Sequence, residues 1–148
     1  MATRRNFLKA VGGAAGLAAA GEFSFLNALP PVDGDMTPAR AMAGVASDIE
    51  PLVRLIEDTE RARLLEAIGQ RIRGGTTYQE ILAALMLAGV RGIQPRPVGF
   101  KFHAVLVVNS AHLASISARD QDRWLPLFWA IDNFKGAQET NRREGDWR

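Results

Sequence analysis

His103 and His112 are the two histidines of a 148-residue chain that contains no cysteine. Imidazole is the side chain whose ordinary pKa lets it hold a metal or move a proton near neutral pH. Nine residues at 3.6 per turn put the pair about 180° apart on a helix, so one helix face cannot bring both to one ion. Each can instead meet Glu57, Glu80, Asp122 or Asp132 from a neighbouring helix, for metal binding or general acid–base work of the kind helical bundles support. Amid Ala, Val and Leu the same histidines also read as hydrogen-bonded core residues. Asn109, Ser110 and Ser115 then add polar groups near His112 that burial would oblige to find partners. A second candidate is cationic. Arg96 stands between Pro95 and Pro97, with Lys101 and His103 just beyond; a loop feeding a helix N-terminus offers free backbone donors, and these side chains suit a phosphate or carboxylate. Solvated cations on a proline-shaped turn are the plainer reading. Trp124, Phe128 and Trp129 form an aromatic stripe fit for a ligand pocket or a core. No Gly-rich phosphate loop, His-Glu-x-x-His or Gly-x-Ser-x-Gly is present. The lack of cysteine excludes disulfides, thiolate nucleophiles, Cys-ligated zinc and Cys-held iron–sulfur clusters.

The elements that must position these groups are helical. Ser47 and Glu50 fit a capping box with Pro51 in the first turn, followed by the stripe Leu52, Val53, Leu55 and Ile56. A second helix begins near Asp58 or Thr59, carries Leu64, Leu65, Ile68 and Ile72, and stops at Gly74-Gly75. Thr77 and Glu80 form another capping box, opening a helix with Ile81, Leu82, Leu85, Met86 and Leu87 that ends at Gly89 or Gly92. Phe100 to Ser117 is apolar nearly all round. Its run Val105 to Val108 would suit a buried strand, but nothing else in the chain offers a partner strand, and a central buried helix is the expectation. The last helix opens near Asp120 to Asp122, tolerates Pro126 in its first turn, presents Trp124, Leu127, Phe128, Ile131 and Phe134, and is expected to stop at Gly136. The fold class is therefore all-α: four to five short helices in a small bundle or helical-hairpin array. The helical domain is predicted over 47–136, with a polar tail at 137–148.

Residues 1–20 read differently. Arg4, Arg5 and Lys9 precede a weakly apolar run, Ala10 to Ala20, which is about half the length a bilayer span needs. A charged start, a short apolar segment and small residues make a secretory pattern. Thr3-Arg4-Arg5-Asn6-Phe7-Leu8-Lys9 resembles the twin-arginine translocation signal, a receptor-read address in which Arg4, Arg5, Phe7, Leu8 and Lys9 carry the match. The plainer alternative is a basic N-terminal helix. Small-x-small sites for cleavage occur at Ala18 and Ala20, before Gly21, and at Ala41 and Ala43, before Gly44. Residues 21–46 read as signal tail and linker, outside the folded domain. Charge follows the same division. The leader holds three of the eighteen basic residues and none of the sixteen acids, so the chain from residue 21 on has a net charge of −1. A body that close to neutral has no electrostatic footprint for nucleic acid.

The leader, Leu82 to Arg91, Pro95 to Phe100 and His103 to His112 together resemble a group of exported bacterial proteins, notably from planctomycetes, that carries no established activity. In that group the chain continues into further helices, which implies that these residues form the N-terminal part of a larger helical protein. Three functions stay open. One is an exported, periplasmic ligand-binding or interaction module with Arg96, Lys101 and His103 as its polar site. Another is a metal- or histidine-dependent, oxidoreductase-like enzyme working through His103 or His112. The third is a fragment whose Trp124, Phe128 and Trp129 face is covered by a protein partner or by absent C-terminal segments. The one partner implied directly is the twin-arginine export machinery; no stable transmembrane anchor is expected, and no cofactor is specified.

Overall fold

A computed structural model describes residues 24–32, 49–94 and 100–145, with the backbone alone at 24, 27 and 100–102. The twin-arginine residues Arg4, Arg5, Phe7, Leu8 and Lys9, both candidate cleavage sites, Ser47, Arg96 and the Lys101 side chain lie outside them. Five α-helices follow one another: α1 (Glu50–Asp58), α2 (Arg61–Arg73), α3 (Tyr78–Gly92), α4 (Phe100–Ile116) and α5 (Trp124–Glu144). A 3-10 turn, Ser24–Ala28, precedes α1, and another, Asp120–Asp122, leads into α5. No strand occurs among the described residues. The fold is all-α.

Local chemistry explains most boundaries. The Thr77 hydroxyl accepts from the Glu80 amide at 3.2 Å, and the Glu80 carboxylate accepts from the Thr77 amide at 2.8 Å, so the expected capping box opens α3. Gly75 turns the chain with φ +100°, after the amides of Gly75 and Thr76 have bonded back to Ile72 and Arg71. Pro51 lies within the first turn of α1, where its missing donor costs nothing. Glu50 is the first residue of that helix, and its carboxylate reaches Arg91 and Arg54. Isoleucines and leucines at helical spacing, Ile56, Leu64, Ile68, Ile81, Leu85, Leu127 and Ile131, meet in one core with Phe134. Each is fully buried, stabilising the fold by about 1.5–3 kcal/mol relative to exposure.

Three expectations need correction. The last helix does not stop at Gly136 but runs eight residues further, to Glu144, and Gly145, with φ +76°, is the true terminator. Tertiary contacts hold the extra turns in place. The Lys135 ammonium and the Gln138 amide both donate to the Glu57 carbonyl, at 2.8 and 3.1 Å, tying α5 to the end of α1. Asn141 donates to the Gly92 carbonyl at 2.9 Å, and Gln94 to the Gly145 carbonyl at 3.2 Å, tying it to the end of α3. Second, α4 is a helix but is not buried all round: Ala104, Val108, Ala111, His112 and Ser115 face inward while Leu106, Asn109, Ser110 and Leu113 are exposed. Third, part of the predicted linker is folded. Phe25, Leu26 and Leu29 pack against the core and Val32 is buried within it.

Candidate functional site

The sequence-predicted groups separate in space. His103 is exposed on α4, and His112, two and a half turns on, faces the interior. The four carboxylates expected to join them are engaged elsewhere. Arg61 on α2 grips Asp132 on α5 with two 2.7 Å hydrogen bonds and reaches Glu139 at 3.3 Å. Arg91 on α3 grips Glu57 with two further bonds of 2.7 Å and Glu50 at 2.9 and 3.1 Å, joining α3 to α1. Glu80 serves the α3 cap, and Asp122 accepts from Arg119 at 2.9 Å. Such forked pairs are the strong kind of ion pair, and they raise the pKa of Arg91 and lower that of Glu50. No group of three His, Asp or Glu side chains placed to hold a metal ion occurs among the described residues.

What His112 meets instead is aromatic. Its Nδ1 lies 3.3 Å from the Tyr78 hydroxyl, with the rings 5.9 Å apart. Tyr78 stacks obliquely on Trp124 at 5.7 Å, Trp124 meets the edge of Phe128 at 6.5 Å, and Phe128 meets the edge of Phe25 at 5.6 Å. Burial pushes the Tyr78 pKa up and the His112 pKa down, which favours a hydrogen bond between a neutral phenol and a neutral imidazole. Ser115, fully buried one turn along α4, brings its hydroxyl near Tyr78 without a well-formed hydrogen bond. Asn109 and Ser110 take no part: both are exposed.

The aromatic stripe divides. Trp124 and Phe128 are 6% and 3% exposed, while Trp129 is 42% exposed. Their cover is the chain's own segment 24–32. Phe25 lies on Phe128, and the Pro30 carbonyl accepts from the Trp124 indole at 2.8 Å. The reason for seeking an absent cover over Trp124 and Phe128 therefore falls away. No periodicity reveals such a contact, because Pro30 and Trp124 are 94 residues apart.

The surface with unspent binding capacity lies on α3 and α4. Leu106 and Leu113, seven residues apart on α4, are 56% and 52% exposed, with Ile116 on the same side; on α3, Met86, Leu87 and Val90 are exposed. The helices meet closely at Gly89, where a Cβ would lie 3.2 Å from Val105 Cγ2. Met86 and Val90 lie close to Gly89 in sequence, and Leu106 follows Val105. From Phe102 to Ala118 the sequence has no Asp, Glu, Lys or Arg. No described helix is long and apolar enough to cross a membrane. Against known proteins, the chain matches no family model, no curated protein and no solved structure.

Proposed function

We propose that this protein is an exported helical binding module, carried across the bacterial inner membrane by its twin-arginine leader and acting by contact through the outer face of α4 and α3. The motif Thr3 to Lys9 supports the destination, together with a body that is nearly neutral once the leader is set aside. One observation carries the mode of action: Leu106, Leu113 and Ile116 lie exposed on a helix with no charge along its outer face. Exposed apolar surface that forms a continuous patch marks an interaction site more often than isolated leucines do. A second copy of the chain is the partner that best fits. An uncharged face meets its own image without like-charge repulsion, and a twofold contact is self-complementary by construction. His112 gives no support to the catalytic alternative, since it is bound to Tyr78 and the carboxylates expected near it pair with arginines or caps.

Sedimentation velocity of the purified chain tests the reading. Self-association at about 10–100 μM is expected, a range typical of contacts worth roughly 5–7 kcal/mol. Leu106→Glu with Leu113→Glu should abolish it while leaving the helical circular-dichroism spectrum unchanged, because both side chains point outward. A wild-type chain that stays monomeric throughout this range would remove the self-association reading.

A further inference from the structure

The folded segment 24–32 separates two sites that sequence alone leaves equivalent. Ala18-Ala19-Ala20 before Gly21 and Ala41-Met42-Ala43 before Gly44 both offer the small-x-small pattern that a leader-removing endopeptidase reads. A cut at the first spares residues 24–32, whereas a cut at the second severs them from the body. Those residues belong to the core. Phe25 lies so close over α2 that a Cβ on Gly69 would stand 2.8 Å from its ring carbons. It also meets the edge of Phe128 at 5.6 Å. Val32 is 5% exposed, and the Pro30 carbonyl is the hydrogen-bond acceptor of a Trp124 indole that is itself buried. Without the segment, the Trp124 N–H loses its acceptor, Phe128 loses its cover, and Gly69 becomes the floor of an empty apolar slot. A glycine buried in the middle of a helix is unfavourable by itself, and here it makes room for one ring.

We infer that the leader is removed between Ala20 and Gly21, and that the mature chain keeps 24–32 as part of its fold. Water adds across that one amide, leaving the Ala20 carboxylate on the leader and the Gly21 amine on the protein. This rests on the export reading above. Passengers of the twin-arginine route cross already folded, so the peptidase meets a segment that is already docked on α2 and α5.

The experiment is to express the full chain with a C-terminal tag in a bacterium that has the route, recover the exported protein, and determine its N-terminus and intact mass. A chain beginning at Gly21 is expected. Ala20→Leu should leave the exported protein uncut, and Ala43→Leu should leave its size unchanged. An exported chain beginning at Gly44, or anywhere beyond Ser24, would overturn the inference while leaving export intact; so would an exported chain that keeps its leader. Failure of the export reading looks different, since the chain then stays in the cytoplasm whether or not Arg4 and Arg5 are replaced by Lys. Retention of the segment has its own measurement in chain purified without export. Hydrogen exchange at the Trp124 indole should be slow, and Phe25→Ala should accelerate it several-fold. A fast-exchanging indole in the wild-type chain would overturn the docked segment.

Discussion

At the scale of single residues, neighbours decide more than residue type. His112 is a titratable group whose burial lowers its pKa from 6.5 in the folded chain. The unfolded chain then binds the proton more readily, so stability is complete above about pH 6.5 and declines as pH falls through the folded-state value. The expected signature is an unfolding free energy from urea titration that drops between about pH 7 and pH 5, by no more than about 1.4 kcal/mol per pH unit for one proton. His112→Gln, which keeps a hydrogen-bonding side chain for Tyr78 without a group that titrates there, should flatten that limb. Glu50, held low chiefly by its hydrogen bonds to Arg91, contributes its own loss at more acid pH. The glycines give a sharper contrast. Gly69 and Gly136 both stand inside helices, where Ala is ordinarily better by about 1 kcal/mol. The nearest atom to a Cβ at Gly136 is an Arg61 nitrogen at 3.8 Å, so Gly136→Ala should raise the thermal midpoint. At Gly69 the Phe25 ring stands in the way, and Gly69→Ala should lower it. In a double-mutant cycle, Phe25→Ala should erase the penalty at Gly69 and leave Gly136→Ala unaffected.

Among the elements, α5 gathers the others. It packs most extensively against α4, touches α2 and α3, and receives the first 3-10 turn through Trp124 and Phe128. Its end is held by Lys135, a cation only 3% exposed, whose ammonium bonds the Glu57 carbonyl and the Gln138 side-chain oxygen at 2.8 Å each. Burial lowers its pKa, yet the carbonyl at the end of α1 gains a charged donor that α1 itself cannot supply. Hydrogen bonds to charged groups contribute about 1.5–3 kcal/mol, so Lys135→Ala should cost about 2 kcal/mol in urea-induced unfolding. Lys135→Met, which restores the stem, should recover about half, since Gln138 still donates to Glu57. Sequence period located four of the five helices, because each buries a stripe at i, i+3 and i+4, whereas α4, apolar nearly all round in sequence, is legible as a helix only through the want of a partner strand. The sequence reading misjudged where α5 ends, because Gly136 carries a stop signal that is local, whereas the bonds from Lys135, Gln138 and Asn141 that override it reach residues 49 to 81 positions away.

For the whole molecule the balance lies between what the chain covers for itself and what it leaves open. Its N-terminal segment closes the Trp124 and Phe128 side, while Leu106, Leu113 and Ile116 on α4 and Met86, Leu87 and Val90 on α3 stay exposed. Contact through those side chains is hydrophobic, so the association expected above should persist when ionic strength rises from about 0.05 to about 0.5 M, where charge-driven contacts weaken. The sequence by itself determined the helices, their caps at Thr77 and Gly75, the opposed directions of His103 and His112, and the near-neutral charge of the body. Those properties depend on residue type and on spacing within one helix. Tertiary structure alone decided that His112 meets Tyr78 rather than a carboxylate, that Glu57 and Asp132 go to arginines, and that a presumed linker is core. Each is a choice among partners tens of residues apart, and packing in three dimensions makes that choice.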